Sequence, residues 1–231
     1  MKKSKSVPHS MEFALYVIPD GKLYQMVTDL LGYDIRLKKT LILPTDEFMR
    51  QARAQNQLAA AYGAHMTITD VVTADSETID DVIKRTRRIT KHPLFRSIQL
   101  TLSNIDAMPN AQNVIALQFK SNWRLTLLHI LLTLHVQTLG SSSKYKDQSH
   151  TFSRLRWFKA RYLLSPYCLN DFIPHITVLA QAREPDIKNV IHIFSGVRTD
   201  FALSISHIAI VQRRTVSQKF TISRTFPIGK S

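Results

Sequence analysis

The chain has 231 residues, 44% apolar and 21% charged, a length and balance that suit one sizeable domain or two small lobes sharing a core. Six glycines, nine prolines and one cysteine set aside fibrous, low-complexity and disulfide-stapled chains. Thirty-one Lys and Arg against seventeen Asp and Glu leave a formal net charge of +14, a field that draws polyanions, chiefly nucleic acid or an anionic membrane.

Met1–Ser10 is basic and is not followed by the apolar stretch of a signal peptide, because Glu12 and the turn Pro19-Asp20-Gly21 intervene. It is expected to be a disordered tail ahead of one domain over 11–231, in a cytoplasmic protein. Phe13–Ile18 predicts a buried strand, and Lys22–Leu31 a helix stopped by Gly32. Asp46–Ala61 predicts a second helix, broken at Tyr62-Gly63, and Ala64–Val72 a β-branched strand. Ser76–Thr90 predicts a helix capped by Ser76 or Asp75, with acids early and bases late to complement its dipole. Its basic run Lys84–Lys91 fits a solvated face better than a phosphate patch.

Ser97–Ile105 and Val114–Phe119 predict a hairpin turning over Ala107–Asn113. Trp123–Leu139 predicts an apolar helix ending at Gly140. Its core, Leu125–Val136, is the longest apolar run and far short of the ~20 residues of a membrane span. Gly140–Ser153 predicts a polar loop, while the basic, aromatic Arg154–Leu164 leaves its structure open. Phe172–Leu179 predicts a strand, Pro185–Phe194 a short helix, and Phe201–Val211 and Phe220–Phe226 two closing strands. Interleaved strands and helices favour an α/β or α+β layered fold.

Two of these segments read alike. Residues 64–68 are Ala-His-Met-Thr-Ile and residues 174–178 are Pro-His-Ile-Thr-Val. Among nine histidines, His-x-Thr arises by chance, and either histidine alone is most simply a half-buried strand residue bonded to a backbone carbonyl. The context adds weight, since both matches follow turn-like approaches, lie in β-branched strands and precede helices. Strand residues i and i+2 share a face about 6–7 Å apart, so each motif presents an imidazole and a hydroxyl together while Met66 and Ile176 face a core. Two histidines suit acid–base cleavage of a phosphodiester near neutral pH, with hydroxyls donating to the non-bridging oxygens.

On these motifs, together with FALYVI, SIQLTLSNIDAMPNAQNVIALQF, the helix from Trp123, FIPHITVLAQ and FALSISHIAIVQ, the chain resembles the two-histidine phosphoesterase superfamily over most of residues 12–226. That group includes bacterial RNA 2′,3′-cyclic phosphodiesterase/2′-5′ RNA ligase-like proteins; the opening segment and YGAHMTITDVV also resemble, loosely, a phosphonate-operon branch. The resemblance implies a bilobal α+β fold with two antiparallel sheets, flanking helices and pseudo-twofold symmetry around a central cleft. It implies that His65 and His175 form the acid–base pair and that Thr67 and Thr177 hold the phosphate, with no metal and no cofactor. In relatives the first-motif histidine often acts as acid and the second as base. Relatives also often carry an arginine shortly after the second motif; that position is Ala180 here, and the nearest arginine is Arg183.

Tyr62 and Phe172 precede the two motifs and are candidates to flank a base, core packing being the alternative. Arg154, Arg156 and Trp157 combine cations with an aromatic ring, which suits phosphates and stacked bases; the competing expectation is a solvated basic face with Trp157 and Phe158 packed inside. His129 and His135 read as core or interface histidines, His92 as a turn residue and Cys168 as a buried structural thiol. No metal-ligand spacing, phosphate-binding loop or nucleophile elbow is present in the sequence. The expected partner is RNA or a nucleotide bound by a monomer, without a membrane or an obligate protein partner. Three functions remain open: a phosphodiesterase on a 2′,3′-cyclic phosphate or 2′-5′ linkage, an RNA-binding module without turnover, or an enzyme on a small cyclic phosphate.

Overall fold

The opening apolar run forms strand β1 (Met11–Val17), and Gly32, in the left-handed region at φ 72°, closes the helix after it, α1 (Gly21–Leu31). The structure is a computed structural model and describes residues 10–109, 111–145, 148–195 and 202–229. The basic tail, but for Ser10, and Phe201 therefore lie outside the described residues.

A small hairpin with no sequence signal follows, β2 (Tyr33–Asp34) and β3 (Lys39–Thr40). The helix expected over 46–61 is two, α2 (Glu47–Gln55) and α3 (Gln57–Ala60). Buried Asn56 explains the break: its amide donates to the carbonyls of Leu30 (3.1 Å) and Val178 (3.0 Å) and accepts the Ala180 N–H (2.7 Å). Strand β4 (Met66–Ala74) and helix α4 (Ser76–Thr90) come next, with Asp75 accepting the Thr78 N–H as N-cap. The bases of α4 from Lys84 to Arg88, and Lys91 at its C-terminal cap, are exposed, as expected of a solvated face.

The hairpin β5 (Ile98–Met108) and β6 (Ala111–Phe119) is tighter than the sequence suggested, most of the expected turn being strand. The apolar helix α5 (Trp123–His135) stops short of Gly140, and a 3-10 turn over Gln137–Leu139 completes the run. The undecided segment is helix α6 (Arg154–Tyr162). Strand β7 is only His175–Leu179, and helix α7 spans Glu184–Phe194. The run expected as one strand over 201–211 is two, β8 (Ala202–Ile205) and β9 (His207–Arg213), before β10 (Thr221–Pro227).

All ladders are antiparallel and join eight strands in the order β10-β9-β1-β4-β7-β6-β5-β8. Only Ser206 separates β8, at one edge, from β9, near the other. Strands lie about 4.8 Å apart, so one residue joins such distant positions only if the sheet curls until its ends approach. The two sheets expected thus meet as one, and the halves β10-β9-β1-β4 and β7-β6-β5-β8 join through the single pair Met66–Ile176.

The main core holds Phe13, Leu15, Met66, Ile68, Ile176 and Val178 with the inner faces of α1, α4, α5 and α7. On α5, Leu125, Leu128 and Leu132 are fully buried, each worth about 1.5–3 kcal/mol of transfer free energy. A smaller cluster packs Ala14 and Tyr16 with Tyr33, Ile35, Val211 and Phe220. Alternation along β1 thus sends Phe13 and Leu15 to one cluster and Ala14 and Tyr16 to the other. Among the described residues no helix is long and apolar enough to cross a membrane.

Candidate active site

The junction of the two half-sheets is where the repeated motif lies. Met66 opposite Ile176 sets an antiparallel register in which His65 faces Thr177 and Thr67 faces His175. The paired apolar residues are both fully buried, so the four polar side chains share the other face. Residues directly opposite have Cβ atoms about 4.5–5.5 Å apart and diagonal neighbours about 7–8 Å, which puts the two histidines on one diagonal and the two threonines on the other.

Each imidazole is held by the same device. His65 Nδ1 lies 2.8 Å from the Gly63 carbonyl and His175 Nδ1 lies 2.8 Å from the Ile173 carbonyl, each acceptor two residues upstream. A carbonyl only accepts, so Nδ1 carries the proton in both rings and Nε2 is the nitrogen left for chemistry. His65 Nε2 is 3.1 Å from Thr67 Oγ1. Gly63 stands at φ 67°, and a Cβ there would meet Ile35 Cβ at 2.6 Å, so glycine is required where the chain delivers this carbonyl.

Burial holds the His65 imidazole down to about 4, helped by the charge of His175 and opposed by the Gly63 carbonyl. Burial also lowers His175, opposed by the Ile173 carbonyl and by Asp70. Asp70 itself is raised by burial, against the Ser165 hydroxyl and the charges of Lys144 and His175.

Two chambers open beside the quartet and share Thr67, Asp70 and Val114 in their walls. The first, about 240 Å³, is largely aromatic and apolar, with Tyr145, Tyr167, Phe172, Ile173 and Met108 beside His175. The second, about 670 Å³, runs past His65, Tyr62 and Thr177 to Lys144, Arg213 and Lys219. Tyr62 and Phe172 thus lie on opposite sides of the quartet, and Phe172 stacks on His129 with centroids 4.0 Å apart. Among the described residues no group of three or more His, Cys, Asp or Glu is placed to hold a metal ion.

The basic segment sits differently from the motif. Arg156 reaches the site's edge, 3.4 Å from Asp171 and over the Tyr167 ring. Arg154 and Trp157 are exposed on α6 and line neither chamber. Arg183 lines neither, and pairs at 3.7 Å with Asp186 on α7. Of the alternative, a solvated basic face over packed aromatics, only the first half holds: Arg154 and Arg161 are exposed, but so are Trp157 and Phe158, while Lys159 is buried against Asp171, Asn170 and the Cys168 carbonyl. That buried cation fixes the turn leading into β7. His129 is a satisfied core residue, bonded to the Ile68 carbonyl and the Leu169 N–H, and Cys168 is a buried free thiol.

Asp70, Lys144, Tyr145, Tyr167 and Lys219 are cleft residues that the sequence did not single out. Asp70 lay three residues from Thr67, a spacing that a regular strand sends to opposite faces.

No protein-family model matches the sequence, and no curated protein matches it significantly. Solved structures do. Escherichia coli LigT in complex with 3′-AMP aligns at 10% identity over 96% of this chain and 99% of that one, with a TM-score of 0.50. TT0787 of Thermus thermophilus aligns at 13% identity over 96% and 100%, with a TM-score of 0.50. A structure described as a phosphoesterase aligns at 10% identity over 97% and 100%, with a TM-score of 0.51. The chain therefore has the mixed α/β fold of these proteins along nearly its whole length.

Proposed function

We propose that the protein is a metal-independent two-histidine phosphodiesterase acting on a 2′,3′-cyclic phosphate or 2′-5′ phosphodiester of RNA or a nucleotide. The observation that carries this reading is the quartet at the β4–β7 junction, where two imidazoles, each with Nε2 freed by a carbonyl at Nδ1, alternate with two threonines beside a cleft. One neutral Nε2 takes a proton from the attacking water. The other imidazole, protonated, gives its proton to the departing ribose oxygen as the P–O bond breaks. Thr67 and Thr177 donate to the non-bridging oxygens, where charge develops.

The two chambers suit the two sides of such a phosphate. The aromatic chamber fits a base, which stacks on any π-face, and the larger one carries Lys144 and Lys219 for further phosphate. The shared fold with LigT, which binds 3′-AMP and ATP in crystals, and the charge of +14 favour a nucleotide or RNA as occupant. In this reading the half-sheets act as two lobes of one domain, each bringing one motif.

The test is incubation in EDTA with a short RNA ending in a 2′,3′-cyclic phosphate and, separately, a 2′-5′-linked oligoadenylate, repeated with His65→Ala and His175→Ala. Turnover lost by about 10²–10⁴-fold in each variant is expected. Full activity in both variants would end the mechanism. Salt-sensitive RNA binding without product, unchanged in His65→Ala, would make the chain a binding module, and turnover of a small cyclic phosphate alone would place it in small-molecule metabolism.

A further inference from the structure

Strand β4 is irregular where it passes the cleft. Tyr16 pairs with Thr67 and Leu15 with Thr69, so one step of β1 is matched by two of β4. Between Thr69 and Val72 a second extra residue enters, Phe13 pairing with Val72. Bulges re-aim side chains, and here they bring Asp70 onto the same cleft as Thr67.

The backbone groups that the irregularity frees are each taken by a buried side chain. The Ile68 carbonyl accepts from His129 Nδ1 at 2.7 Å, and the Asp70 N–H donates to Gln137 Oε1 at 2.8 Å. The far ends of both side chains tie the turn before β7: His129 Nε2 accepts the Leu169 N–H at 2.9 Å, and Gln137 Nε2 donates to the Leu163 carbonyl. Ser165, in that turn, donates its hydroxyl to Asp70 Oδ2. A half-buried carboxylate, a strand irregularity and two buried clamps converge on one spot, in the wall between the chamber that His175 lines and the one that His65 lines.

We propose that Asp70 is a positioning residue for the reaction, its carboxylate favouring the proton on His175 so that His175 serves as the acid and His65 as the base. The proposal rests on the two-histidine reading of the cleft, and it reverses the order of roles that the resemblance implied.

The other charged and titratable groups around the pair leave it this role. Asp171 is engaged by Lys159 and Arg156. His129 is committed at both nitrogens. Burial pushes the Tyr145 phenol up, which keeps it neutral. Burial raises the Asp70 carboxyl, the Ser165 hydroxyl and Lys144 oppose this by favouring its charged form, and burial keeps His65 neutral, the form a base needs.

The test reads each histidine's ring by NMR against pH in the wild type, Asp70→Asn and Ser165→Ala. Asp70→Asn is expected to lower the His175 midpoint by about one pH unit or more, the scale of a lost neighbouring charge, with a smaller change at His65. Ser165→Ala, which removes a donor to the carboxylate, moves His175 the same way by less and carries the test if Asp70→Asn does not fold. The alkaline limb of kcat/KM moves down with the His175 midpoint. An unmoved His175 midpoint in a folded variant, or a larger shift at His65, would overturn the proposal. The titration needs no substrate, so a chain that turns over no phosphodiester would sink the phosphoesterase reading while leaving this measurement to stand on its own.

Discussion

The ring of His65 lies on the ring of Tyr16, centroids 3.8 Å apart and planes 22° from parallel. Tyr16 is paired in register with Thr67, so β1 supplies the floor on which the first motif rests. The stacking removes water from one face of the imidazole, and burial holds His65 down to about 4. As the proposed base, His65 works only when neutral. The acid limb of kcat/KM is therefore expected near pH 4, well below the usual histidine value of about 6.5. A pH–rate profile checks this, and Tyr16→Leu, which removes the stacked ring and lets water in, should move the limb upward. A wild-type limb between pH 6 and 7 would contradict the arrangement.

Most of what built this site could be read in the chain, and what could not has a physical cause. Helix α4 was legible to the residue, because Asp75 caps it and its charges follow the dipole. The motif strands were legible because β-branched alternation is local, and Met66 and Ile176 are buried as expected. Asn56 was not, since its amide acts through the carbonyls of Leu30 and Val178, the second far away in sequence. The division of residues 202–211 between two ends of the sheet was hidden because Ser206 alone interrupts the two strands and only the curl of the sheet separates them. Asp70 was hidden by the bulges, which break the period of two that the reading assumed. The sequence left open whether Trp157 and Phe158 pack inside; both are exposed, and the buried residue is Lys159, whose acceptors Asp171 and Asn170 lie beyond the helix.

Thr67 and Thr177 line the second chamber, on the diagonal that crosses that of the histidines. In the proposed reaction their hydroxyls act on charge that exists mainly in the transition state. Thr67→Val and Thr177→Val, near in shape, should each lower kcat by about 10²–10³ with little change in KM, as loss of one oxyanion donor does. Steady-state kinetics on the preferred substrate decides this. A rise in KM at unchanged kcat would assign the hydroxyls to ground-state binding instead.

Lys144 is exposed at the wall of the second chamber, with its ammonium over the Tyr145 ring at 4.9 Å. It lies in the polar loop that composition alone left without a role. A solvated cation gives modest, salt-sensitive attraction, so Lys144→Gln should raise KM roughly twofold to fivefold in low salt and much less at high ionic strength. KM measured across a salt series separates this from a structural effect, which salt would not erase.

His129 links the bulged strand to the turn before β7, and it gives the fold its own pH dependence. Burial holds its imidazole down to about 4, helped by Lys159 and opposed by the Ile68 carbonyl. An unfolded histidine takes its proton near 6.5, so between 6.5 and 4 the unfolded chain binds more protons than the folded one. The stability contributed by the neutral ring is therefore complete above pH 6.5 and falls as pH drops through about 4, by on the order of 3 kcal/mol. Replacing the ring leaves the Ile68 carbonyl and the Leu169 N–H, both buried in the wild type's network, to find other partners. His129→Leu should cost roughly 2–4 kcal/mol at pH 7, counting two unmade bonds and the lost stack on Phe172. The variant should also lose part of the decline towards acid. Urea unfolding at pH 7 and pH 4.5 for both proteins tests the two claims together, because a merely bulky core residue would lower stability equally at both values and leave the slope with pH unchanged.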